Sequence, residues 1–305
     1  VTDNVAVLDC GSNSTRLLIV SGEGLTLDRE MHITRLSAGV DASGNLTEEA
    51  LARSYRVLEE YRRLMDTHHV ARGLLVATSA VRDATNGPDF LAKAAHITRV
   101  EARLLSGEEE AGFSYAGATR GLSPDPRPTL IVDIGGGSTE LAVRLEGVVR
   151  GYSMQLGCVR VTERALGSGV VTPAAAAAAR TMIEGQLDLA MSAEPAFAAL
   201  VGDVRLVGLA GTVATLAQLD AGLTQYDRDA VHHRRLTRAD VQHWRDRLGA
   251  LTPVERLALA GMVPGREDVL VAGLFILDAV MARFDAQELL SSEDDILDGV
   301  AASLI

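Results

Sequence analysis

Two stretches of this chain follow one plan. Residues 5–8 and 17–20 are short apolar runs separated by Asp9-Cys10-Gly11-Ser12-Asn13-Ser14, which reads as strand, polar turn, strand. The plan returns where residues 130–132 and 141–145 flank Asp133-Ile134-Gly135-Gly136-Gly137-Ser138-Thr139-Glu140. An offset of 124 residues pairs Asp9 with Asp133, Gly11 with Gly135, Ser14 with Ser138, Thr15 with Thr139 and Leu17 with Leu141, five identities within nine positions. One D-x-G is common, but strand-D-x-G-x-x-[ST]-[ST]-strand written twice points to a duplicated architecture rather than two ordinary turns. A chain of 305 residues that is 47% apolar can bury a core in each of two lobes.

The repeated turn carries chemistry. A tight loop of Gly and Ser aims backbone N–H groups and hydroxyls at one point and so cradles an anion without a lysine. Lys93 is the only lysine, which excludes a G-K-[ST] phosphate loop. Carboxylates do not bind phosphates directly, so Asp9 and Asp133 imply a bridging cation. Mg²⁺ suits that place because it takes one or two carboxylates, several waters and phosphate oxygens. The formal charge of −12 and pI near 5.1 argue against nucleic-acid binding and leave a polyanion to be held by local donors. Cys10 and Cys158 form no C-x-x-C pair and no disulfide framework, and both read as buried small residues in a reducing compartment. Residues 5–8 are too short for a signal peptide or membrane span, so a cytoplasmic protein is expected.

Further along, Thr47 with Glu48 and Glu49 opens a helix expected to reach about His68. Residues 73–77 form a buried strand ending at Thr78-Ser79, and Pro88 opens a second helix. Three of the eight prolines fall within residues 121–128, which are expected to be extended and to hold the domain hinge. Thr172-Pro173, Thr237 to Asp240 and Thr252-Pro253-Val254-Glu255 are helix starts, so the C-terminal half is mainly helical.

Five motifs in order, Asp9 to Ser14, Ala77-Thr-Ser-Ala-Val-Arg-Asp-Ala-Thr-Asn86, Ser106-Gly-Glu-Glu-Glu-Ala111, Asp133 to Glu140 and Gly208-Leu-Ala-Gly-Thr212, resemble the exopolyphosphatase/guanosine pentaphosphate phosphohydrolase (Ppx/GppA) family over essentially the whole chain. The resemblance implies an α/β, two-domain actin-like fold (sugar kinase/Hsp70/actin, ribonuclease H-like) with an interdomain cleft. It implies domains at 1–126 plus 294–305 and at 127–293, and the short form without C-terminal HD-like domains. It implies that Glu110 deprotonates the attacking water, with Glu109 as runner-up, although the acidic triplet read alone is a solvated helix start. It places metal on Asp133 and Glu140. Phosphate contacts are expected from Asp9, Gly11, Ser12, Asn13, Ser14, Arg82, Gly135, Gly136, Gly137, Ser138, Thr139, Gly211 and Thr212, with Asn86 bracing the Arg82 loop. Asp295-Ile-Leu-Asp298-Gly299 stands where the family pattern has Gly-Leu-Arg-Glu-Gly, so a basic contribution is missing there.

The expected activity is release of terminal orthophosphate from inorganic polyphosphate by metal-assisted attack of water. Guanosine pentaphosphate is the alternative substrate, ahead of a kinase of the same fold class or a non-catalytic polyphosphate or alarmone sensor. No nucleic-acid or membrane partner is expected, and a homodimer is left open. The pairs His68-His69 and His232-His233 are expected to diverge, and no His/Cys grouping suggests zinc.

Overall fold

In the computed structural model, which describes residues 3–305, Asn4–Cys10 forms strand β1 and Ser14–Val20 forms β2. They pair antiparallel, with Asp9 opposite Arg16 and Cys10 opposite Thr15. The second hairpin repeats this: Thr129–Ile134 (β6) pairs antiparallel with Thr139–Leu145 (β7), and Asp133 faces Glu140. The described chain divides into two units, one reaching to Gly117 and adding Ile296–Ile305, the other Ala118–Asp295.

The first unit is a five-stranded sheet in the order β3-β2-β1-β4-β5, where β3 is Thr26–Ile33, β4 Val70–Ala77 and β5 Glu101–Leu104. β1, β4 and β5 run parallel, while β2 and β3 extend the sheet antiparallel. β1 is apolar at consecutive positions because both faces of the sheet are covered. Ala6, Leu8, Leu75 and Ala77 pack with Leu58, Tyr61, Met65 and Phe90, which come from helices Glu48–Thr67 and Gly87–Thr98. Val5, Val7, Leu74 and Val76 point the other way and meet Ile296, Leu297 and Val300 of the last helix, Ile296–Leu304. That helix crosses helix Gly107–Ala118 so closely that a Cβ on Gly299 would come 2.0 Å from the Phe113 carbonyl oxygen.

The second unit has a six-stranded sheet, β10-β11-β9-β6-β7-β8, in which β8 is Val148–Met154, β9 Arg205–Leu209, β10 Arg235–Thr237 and β11 Glu288–Ser291. Leu130, Val132, Leu141, Leu206 and Leu289 join residues of helices Pro173–Ala193, Ala210–Asp220, Arg238–Gly249 and Leu270–Arg283 in one core. The order β8-β7-β6-β9-β11, with two antiparallel and then two parallel neighbours around the first strand, matches β3-β2-β1-β4-β5. β10 is an added antiparallel edge. This ribonuclease H-like plan, present twice, is the two-domain actin-like fold.

Local signals translate directly. Thr47 and Thr172 accept the N-terminal amides of their helices, and Thr237 with Asp240 and Thr252 with Glu255 close reciprocal capping boxes. The Arg82 segment, expected as a loop, is a short helix, Ser79–Asp83. The His232–His233 expectation is corrected: the rings do not diverge but stack with centroids 3.7 Å apart. A positive φ of 58° at His233 turns the second ring back over the first. No helix among the described residues is long and apolar enough to cross a membrane.

Candidate active site

Each hairpin turn is closed the same way. Gly11 N–H donates to the Ser14 carbonyl at 3.0 Å, and Gly135 N–H donates to the Ser138 carbonyl at 3.0 Å. Both turns are also held from behind. The amides of Thr34 and Arg35 donate to Asn13 O at 3.0 and 2.9 Å, and Ser37 N–H donates to Ser12 O at 2.9 Å. In the second unit Cys158 N–H donates to Gly135 O at 2.9 Å, Val159 and Arg160 N–H donate to Gly136 O, and the Arg160 guanidinium donates to Gly137 O at 2.8 Å. The loop carbonyls are thereby engaged, while the N–H groups of Ser12, Asn13, Gly136 and Gly137 take no part in the hydrogen bonds among the described residues. Amides arranged in this way are the donors an anion cradle needs.

The first unit gathers Ser12, Asn13, Ser79, Arg82 and Glu110. Ser12 Oγ and Ser79 Oγ lie 2.9 Å apart, both buried, which ties the turn to the Arg82 segment. Arg82 Nη1 donates to Leu105 O at 2.8 Å and to Glu110 Oε2 at 3.4 Å. Glu110, 7% exposed, is the buried member of the acidic triplet. Glu109 is engaged elsewhere: its carboxylate accepts Ser106 N–H at 2.9 Å, its own N–H donates to Ser106 Oγ, and Arg103 pairs with it at the surface. The Ser106 amide, followed by Arg103, holds this carboxyl below its usual range. Asn86 spans to Leu46, accepting its N–H at 2.8 Å and donating to its carbonyl at 2.9 Å. The side chain of Asn13 is 5% exposed, and neither its Oδ1 nor its Nδ2 has a hydrogen-bond partner among the described residues. Leaving a buried amide unbonded costs about 1–3 kcal/mol per group, so it persists where something else is to be bound.

The two hairpins part company at one register position. Opposite Asp9 stands Arg16, whose Nε and Nη2 donate to Asp9 Oδ2 at 3.0 and 2.7 Å. Opposite Asp133 stands Glu140, so two buried carboxylates occupy directly facing positions on one sheet face, 8% and 1% exposed. Glu140 Oε1 accepts Ser153 Oγ at 2.6 Å from the next strand of the same row. Like charges directly opposite in a sheet repel. A hydrated divalent cation fits this donor set, since Mg²⁺ needs only one or two carboxylates. Among the described residues no group of three or more His, Cys, Asp and Glu could form an all-protein metal cage.

The remaining residues of the second unit are placed unevenly. Ser138 is buried in the turn, whereas the Thr139 hydroxyl donates to Leu156 O at 2.5 Å and braces β7. Gly211 and Thr212 begin helix Ala210–Asp220, behind Ala210 with its φ of 63°. The Thr212 side chain packs against helix Leu270–Arg283, where a Cβ on Gly273 would come 2.3 Å from Thr212 Oγ1. The guanidinium of Arg266, 9% exposed, covers Gly211 so tightly that a Cβ there would lie 1.8 Å from Cζ. Sequence reading missed Arg16, Ser153, Arg160 and Arg266. Only Arg16 had a signal, as the repeat partner of Glu140. Both cysteines are buried; desolvation raises the Cys158 thiol to about 11 and that of Cys10 well above its usual value, so neither is a nucleophile.

Fold and turns together define a duplicated actin-like protein with the same Gly/Ser turn in each unit. The sequence profile of the Ppx/GppA phosphatase family matches residues 18–305, and the chain belongs to that family. It is 40% identical to Exopolyphosphatase 2 of Mycobacterium tuberculosis over 98% of both chains. Among solved structures it resembles an exopolyphosphatase-like protein (TM-score 0.92, 33% identity, 99% of this chain and 98% of that one). The Aquifex aeolicus Ppx/GppA family member also matches (TM-score 0.80, 28% identity, 100% and 98%).

Proposed function

We propose that this protein is an exopolyphosphatase that releases the terminal orthophosphate of inorganic polyphosphate by attack of water. The similarity to Exopolyphosphatase 2 along the full length of both chains carries the choice of substrate. It also disfavours guanosine pentaphosphate as the preferred substrate. As a family member the chain is a phosphoanhydride hydrolase, and the proposal concerns which residues perform the reaction.

Ser12, Asn13 and Ser14, with the free amides of their turn, hold one phosphate, and the Asn13 side chain finds in it the partner the protein does not supply. Gly135, Gly136, Gly137 and Ser138 hold another through the second turn, with Gly211 contributing backbone. Arg82 offers a guanidinium to the phosphate under attack and holds Glu110 at 3.4 Å. Glu110 takes a proton from the attacking water as its oxygen bonds to the terminal phosphorus. The bond to the bridging oxygen breaks, leaving orthophosphate and a chain shorter by one unit. Asp133 and Glu140 would hold Mg²⁺, partly through water, and the bound cation would neutralise charge on the phosphate oxygens. Asp9 shapes the first turn through Arg16. Glu109 caps its helix, which favours Glu110 as the base.

The test is phosphate release by the purified protein with Mg²⁺ on tripolyphosphate, long-chain polyphosphate, guanosine pentaphosphate and ATP. Preference for ATP with transfer to a non-water acceptor would replace the hydrolase reading by a kinase. Binding of polyphosphate without phosphate release would replace it by a sensor.

A further inference from the structure

The second unit contains a cavity of about 260 Å³ that none of the candidate catalytic residues lines. It sits where the parallel strands β6, β9 and β11 begin, the end of the sheet opposite the Asp133 turn. Thr129, on which Arg205 rests, precedes Asp133 by four residues on β6, roughly 13 Å at about 3.3 Å per residue.

The lining is chemically uneven. Arg127, Arg205 and Arg235 contribute three guanidinium groups against two carboxylates, Asp125 and Glu288, leaving an excess of positive charge. Asp125 is taken by Arg127, through bonds of 3.0 and 2.8 Å, and Glu288 by Arg235. Among the described residues Arg205 is bonded only to neutral oxygens: Nε and Nη2 donate to Thr129 Oγ1 at 3.0 and 2.6 Å, and Nη1 to Ser123 O at 2.6 Å. Its charge is fixed in place but not neutralised by a hydrogen-bonded carboxylate.

His233 lines the same cavity, and its Nε2 is buried with no hydrogen-bond partner among the described residues. Its backbone is held in the left-handed region, at φ 58°, by N–H donation to Ser291 O at 2.7 Å, and His232 stacks on its ring. A bulky residue in that conformation is strained, and such strain concentrates at ligand clamps. Desolvation keeps the imidazole below its usual range, hence neutral near pH 7, with one N–H to offer. Leu122 and Leu290 supply apolar surface, while Leu206 and Leu289, which also border the cavity, turn their side chains into the core of the second unit.

We propose that this cavity is a second ligand site, separate from the hydrolytic one, and that it takes a small organic phosphomonoester. The phosphate is held by Arg205 and His233 Nε2, and the organic body lies against Leu122 and Leu290. The volume falls just below the usual range of about 300–1,000 Å³ for small-molecule pockets and exceeds the need of a bare oxyanion.

The experiment titrates phenyl phosphate, and separately inorganic phosphate, into the Asp133→Ala protein, whose candidate active site is disabled. Amide shifts are followed by nuclear magnetic resonance. Phenyl phosphate is expected to shift Leu206, Leu289 and His233 and to bind more tightly than inorganic phosphate. Arg205→Met should weaken it tenfold or more. His233→Asn, which tolerates the left-handed backbone and removes the ring, should weaken it at least threefold, with a spectrum showing the fold intact. Shifts confined to residues 11–14 and 135–139, or unchanged affinity in both variants, would overturn the proposal. Equal affinity for the two probes would overturn the organic body and leave an adventitious anion site only.

Discussion

Replacing Glu110 by Gln tests the proposed general base apart from the other two carboxylates of its triplet. The substitution keeps the shape of a side chain that is 7% exposed and preserves an oxygen toward Arg82, so the fold should be retained. What disappears is the ability to accept the proton of water. Loss of a general base costs about 10²- to 10⁴-fold in rate, equivalent to about 2.7–5.4 kcal/mol in the barrier. Affinity should hold or tighten, because a neutral amide relieves repulsion between Glu110 and the substrate anion. Glu109→Gln meets different physics. Its carboxylate serves Ser106 N–H and Arg103 at the helix start, so the variant should lose about 0.5–1 kcal/mol of stability and little turnover. The assay is phosphate release from tripolyphosphate under single-turnover conditions, with binding measured by calorimetry and stability by urea denaturation. Near-normal turnover in Glu110→Gln with a dead Glu109→Gln would show the wrong carboxylate was chosen. Normal rates in both would refute base catalysis from this helix.

Asp133→Ala and Glu140→Ala should each weaken Mg²⁺ binding in calorimetry and activity together, with unchanged circular dichroism; unaltered metal titration in both would remove the cation from β6 and β7. Gly157→Ala would put a Cβ 2.2 Å from the Gly136 carbonyl oxygen; overpacking of about 1–3 kcal/mol and a displaced second turn should lower both melting temperature and kcat, and a variant as active and stable as the parent contradicts that. Burial lowers the pKa of His232 and of His233, so below about 6.5 the unfolded chain binds protons that the folded one does not. Stability should therefore fall as pH drops from 7.5 to 5.5, and the His232→Asn/His233→Asn double variant should flatten that slope in urea titrations; an unchanged slope would count against it.

The sequence by itself determined the elements whose causes are local. The two hairpins, the capped helices at Thr47, Thr172, Thr237 and Thr252, and the twin turns were legible because turn chemistry and capping act over a few residues. β3 and β8 were not, since β3 is polar and half exposed, β8 mixes apolar and polar residues that are mostly half-buried, and neither alternates cleanly. The repeat also announced the duplicated fold, and the motif order announced the family. Tertiary structure alone decided which carboxylate of Glu108, Glu109 and Glu110 turns inward. On a helix, adjacent side chains point about 100° apart, and only packing chooses which of those directions is buried. It decided that Arg266 covers Gly211 from 55 positions away and that Asn13 is left without a partner among the described residues. These depend on contacts between segments far apart in the chain, whose pairing no local pattern specifies.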